Sequence, residues 1–148
     1  MAEIKEIHLE GKLTSDDCGV KFKGGYLTLA SEISQKLEEL FLDLSPSKAE
    51  EDPNATDISL CTPPISFKVF LSDKKCSLKE AEGKQILASV GELDIYQEWF
   101  GYSEFTVMGY DVINFALTSE DGSGHDLQQF FTNYIGKYTH IVISTVSN

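Results

Sequence analysis

Apolar and polar residues alternate in several short stretches of the chain and recur at helical spacing in others, and these two periods set the expected elements. Ile4, Ile7 and Leu9, with Glu and Lys between them, predict a strand over 3–9. Asp16-Asp17 marks a turn, and GVKF then alternates Val20 and Phe22 with Lys21 and Lys23 in a strand over 19–23. Gly24-Gly25 either closes a hairpin into 26–29 or frees the chain to begin a helix. Leu29, Ala30, Ile33, Leu37, Leu40, Phe41 and Leu44 come next at spacings of mostly three and four, which predicts a helix over 28–44.

Residues 45–64 show no period and hold all four prolines, the pattern of a long loop. Ile65, Phe67, Val69 and Leu71 alternate as a strand over 65–71. Ser77 to Glu80 has the form of a capping box, predicting a helix over 77–90 that ends at Gly91. A strand is expected over 92–100. It places Leu93, Ile95, Gln97 and Trp99 on one side and Asp94, Tyr96, Glu98 and Phe100 on the other. The next strand, over 104–118, is expected to bulge at Gly109. Ser123 is positioned to cap a helix with a stripe of Leu127, Phe130, Phe131, Tyr134 and Ile135, and a last strand runs over 140–146. The chain shows no repeat and no convincing boundary. The expected fold is one α+β domain over 1–148, a mixed or antiparallel sheet of about six strands packed by about three helices.

Charge changes the functional reading most. The 148 residues carry 24 acids against 12 basic residues, all of them lysine, for a net charge of -12. Arginine, the residue that clamps phosphates bidentately and reads guanine, does not occur. Phosphate backbones and anionic lipid surfaces repel such a chain, so direct binding to nucleic acid or membrane is not expected. No apolar run reaches the length of a membrane span and the N-terminus does not read as a signal peptide, so a cytoplasmic location is expected. The acids are also unevenly placed. Residues 89–148 hold eight acids against the single Lys137, and eleven of the sixteen aromatic residues lie beyond residue 90.

Acid mixed with exposed aromatic is the surface by which a protein attracts a basic partner and then holds it. The outward residues of the strand pair, Asp94, Tyr96, Glu98, Phe100, Tyr102, Glu104 and Asp111, are therefore the candidate partner-binding set. The expectation is a non-enzymatic inhibitor that neutralises a basic protein, such as an immunity protein against a nuclease toxin. A subunit of a larger assembly and a phage-type inhibitor of a host defence protein remain open alternatives.

Other chemistry is thinner. Cys18, Cys61 and Cys76 are odd in number and form no CxxC, which reads as free thiols in a reducing compartment. Together with His8, His125 and His140 they show no ligand spacing of the zinc type, so no metal or cofactor is expected. The segment 120–126 resembles a ligand loop before a helix N-terminus, with Asp121, Ser123, Gly124 and His125 as its candidate residues. It lacks the lysine of a phosphate loop, and its carboxylates oppose an anion. A small-ligand or enzymatic role there is the remaining alternative.

Overall fold

Alternating strands that must each hide one face require a shared core, and here a single sheet provides it. The computed structural model describes residues 5–16, 19–25, 27–40, 47–48, 58–102 and 107–146, with the backbone alone at 16, 38–40, 47–48, 58–59, 98–102, 107–111 and 113. The elements run β1 (Glu6–Asp16), β2 (Gly19–Phe22), α1 (Leu29–Leu40), β3 (Ser47–Lys48), β4 (Ile58–Cys61), β5 (Ile65–Ser72) and α2 (Leu78–Ala81). After a 3-10 turn over Glu82–Lys84 come β6 (Gln85–Tyr102), β7 (Val107–Ser119), β8 (Gly124–Asp126), α3 (Leu127–Thr132) and β9 (Tyr138–Thr145).

The sheet has nine strands in the order β2-β1-β9-β5-β6-β4-β3, with β7 added to β6 and β8 to β7. Every described pairing is antiparallel. The α+β class holds, while the sheet is larger than expected and the helices are shorter. One face carries the main core, where Leu9, Phe67, Val69, Leu93, Ile95, Phe115, Leu117, Ile141 and Ile143 pack against α1 and α3. Burying each such side chain contributes about 1.5–3 kcal/mol. The opposite, outer face holds a small second cluster, in which Phe70 and Val142 meet Ala81 and Leu78 of α2.

Asp16 ends β1 opposite Gly19 of β2, at the place where the turn is expected. Several expectations are corrected. Within 45–64, Ile58–Cys61 forms β4 along β6, and 49–57 lies outside the described residues. The Ser77 capping box forms, with Glu80 returning to the Ser77 backbone, but the helix it opens lasts one turn. A cap marks where a helix starts and says nothing of its length. Residues 85–90 instead pair with β5, which would otherwise leave its hydrogen-bonding edge unsatisfied. Gly91 is no helix end. It sits within β6, where an added Cβ would lie 2.1 Å from the Thr118 carbonyl oxygen. Gly109 pairs in register with Phe100, and the irregularity of β7 falls at Ile113, which the register skips between Val112 and Asn114.

The last helix starts later than expected. Asp126, not Ser123, is its N-cap, accepting from the Gln129 amide at 3.1 Å. The helix stops at Thr132, and Gly136, at φ +94°, turns the chain into β9.

Candidate functional site

The outer face of the sheet has two chemically different ends. At the β6–β7 end, alternation works as expected. Leu93, Ile95 and Gln97 are buried, Glu92 and Asp94 are exposed and Tyr96 is half-buried on the outer side. Asp94 stands opposite Cys61 on β4 and Ala116 on β7. The Cys61 thiol is pushed above its ordinary range, first by desolvation and then by the Asp94 and Glu92 carboxylates, which mark the negative field over this end. Glu98, Phe100 and Tyr102 continue the same strand, and the backbone register sets Glu98 opposite Asp111. Their side chains lie outside the described residues, as does Glu104 entirely.

The 120–126 segment is not the loop expected. It is a turn followed by β8, which folds back on β7 through Ala116↔Asp126 and Thr118↔Gly124. Asp121 accepts from both the amide and the hydroxyl of Ser123, and these bonds hold its carboxyl below the usual range. Gly124 opens β8, and the Asp126 carboxylate already occupies the amide at the start of α3. His125 Nε2 lies 3.2 Å from Ser119 Oγ, which is 2.7 Å from Ser89 Oγ. The four candidate ligand residues therefore lie together in this hairpin, with Asp121 bonded to Ser123 and His125 beside Ser119.

At the β1–β9 end, the sheet assembles a cluster that residue spacing does not display. His8 and Glu10 alternate onto one face of β1, and the register sets Glu10 opposite His140 of β9. His140 is fully buried beside Val142 and Phe70, beneath the loop leading into α2. Its Nε2 lies 2.8 Å from the Cys76 carbonyl oxygen, its Nδ1 lies 2.8 Å from His8 Nε2, and Glu10 Oε2 stands 3.2 Å from the same Nδ1. The two imidazoles stack with centroids 5.1 Å apart. Tyr138 lies two residues before His140 on the same face, its ring centroid 5.3 Å from that of His140. Burial first, then the Glu10 charge, pushes its phenol pKa up. Burial and then the His140 charge hold the His8 pKa below its ordinary value, with Glu10 and Glu6 opposing. Residues 8 and 140 are 132 apart in the chain, so only the strand register reveals the set.

Tyr138 also lines an adjacent open cleft of about 420 Å³ with Gly11, Lys12, Lys23, Asp73, Lys75 and Gly136. Asp73 there pairs with Lys137. No helix among the described residues is long and apolar enough to cross a membrane. No protein-family model, curated protein or solved structure matches this chain.

Proposed function

We propose that this protein is an acidic protein-binding inhibitor that neutralises a basic protein, of the kind that an immunity protein directed against a nuclease toxin represents. One observation carries the reading. Glu92, Asp94 and Tyr96 lie on the sheet face opposite to the one on which α1 and α3 pack, and both carboxylates are exposed. Carboxylates in that position attract a basic surface over a Debye length of about 8–10 Å. The half-buried ring between the strands supplies a rigid apolar anchor once contact is made. A nuclease must be basic to grip its substrate, which makes it the complementary partner.

The test is inhibition of a basic nuclease-toxin domain encoded beside this gene, followed with a fluorescent nucleic-acid substrate and with direct binding to the immobilised toxin. Stoichiometric inhibition is expected. Replacing Tyr96 with Ala should speed dissociation, with a loss of about 2 kcal/mol in binding. No complex with the toxin domain would leave a subunit role in a larger assembly as the better reading.

A further inference from the structure

The His140 ring defines its own protonation pattern. A backbone carbonyl only accepts, so the 2.8 Å contact to Cys76 oxygen places a proton on His140 Nε2. In the neutral ring the lone pair then sits on Nδ1, and His8 Nε2–H donates to it. Glu10 Oε2 stands 3.2 Å from the same Nδ1, so a carboxylate oxygen and two ring nitrogens converge on one point. A carboxylate and imidazole nitrogens this close are stabilised by a positive centre among them, either a proton or a cation.

We infer that His8, Glu10 and His140 form a binding site for one divalent cation of the zinc type. His8 Nε2, His140 Nδ1 and a Glu10 carboxylate oxygen lie within 4.8 Å of one another, around a space that one ion can fill. Two imidazole nitrogens select zinc and its transition-metal neighbours over calcium and magnesium, which prefer all-oxygen sites. Three protein ligands leave a fourth tetrahedral position for water, and the exposure of His8 and Glu10 opens that position to solvent. The supporting contact is of the kind that fixes a ligand at a metal centre. Cys76 oxygen orients the His140 ring through its distal N–H. Binding needs a small rearrangement. The His8–His140 hydrogen bond opens by about half an ångström, to the ligand spacing that Zn–N bonds of about 2.0–2.1 Å impose. His8 moves its ring proton from Nε2 to Nδ1 through solvent, so the neutral pair binds the ion without net proton release.

The experiment is titration of the full chain, stripped with chelator, with ZnCl2 by calorimetry at neutral pH, beside the variants His8→Ala, Glu10→Gln and His125→Ala. His8 and Glu10 are exposed, so their variants keep the fold, and circular dichroism checks this. One zinc per chain is expected, with affinity lowered by about 100-fold in His8→Ala and Glu10→Gln. His125→Ala should bind as the native chain does. Long-range proton–nitrogen NMR should show His8 passing from the Nε2–H to the Nδ1–H tautomer as zinc is added. No binding at millimolar zinc would overturn the site. Equal affinity in all variants would overturn it too, as would a doubly protonated His140 that zinc does not displace.

Discussion

The two ends of the outer sheet face use their polar groups in different ways. At the β1–β9 end, α2 and the loop before it cover the sheet, Phe70 and Val142 are buried, and His140 is fully enclosed. The enclosed His140 ring must find partners, and it meets the Cys76 carbonyl at Nε2 and the exposed His8 and Glu10 at Nδ1. At the β6–β7 end, Glu92 and Asp94 remain in water, where they act through a field and need no fixed geometry. Cover, more than residue type, decides whether a polar side chain becomes a ligand or a charge.

The largest effects test the layers beneath that contrast. Ile141 and Val142 are neighbours in β9 that face the main core and the outer cluster, respectively. Ile141→Ala should cost about 3–4 kcal/mol in urea unfolding, and Val142→Ala about half that, because its cavity collapses against a thinner cover. Equal losses would make the outer cluster a core in its own right. Gly91 joins the two ends, pairing with Ile65 of β5 and Ser119 of β7. Gly91→Ala should cost about 2–3 kcal/mol, because its Cβ meets backbone that cannot rotate away.

At the bare end, Asp94→Lys should change stability by less than about 0.5 kcal/mol, as expected for an exposed site without fixed partners. A loss above about 1 kcal/mol would mean that Asp94 is structural. The smallest effect concerns Glu32 of α1, whose Oε2 is buried without a hydrogen-bond partner. Burial raises its pKa, with Lys36 opposing. A raised folded pKa gives stability that is present below the ordinary carboxylate range and lost as pH rises through the raised value. Glu32→Gln should therefore raise Tm at pH 7 by about 1–2 °C and leave it unchanged at acidic pH. A gain at both pH values would place the effect outside ionisation.

Legibility in the sequence tracked the range of the interaction. GVKF, ISFKVFLS and the α1 stripe could be read directly, because each buries a face defined by its own period. The segment 77–90 departs from the expected helix because its local signal, the capping box, marks only the helix start, while pairing with the β5 edge makes residues 85–90 a strand. Leu93, Ile95 and Gln97 were rightly placed inward, so the acidic outer face was also legible, and Thr28 and Ser31 meet the buried Gln97 oxygen at 2.8 and 2.9 Å. The histidine cluster was half legible. The i, i+2 spacing of His8 and Glu10 announces a shared face, but the third member arrives through a pairing that no spacing encodes.

The association rate with the basic nuclease, measured by stopped flow across a salt series, tests the division between the two ends most directly. The double variant Glu92→Lys/Asp94→Lys should associate at least about 10-fold more slowly than the native chain at low salt and converge with it at high salt. Glu6→Lys/Glu82→Lys, equal in charge change and exposed elsewhere, should slow association far less. Equal slowing by both double variants would show that net charge alone governs capture and would contradict a docking role for the β6–β7 face.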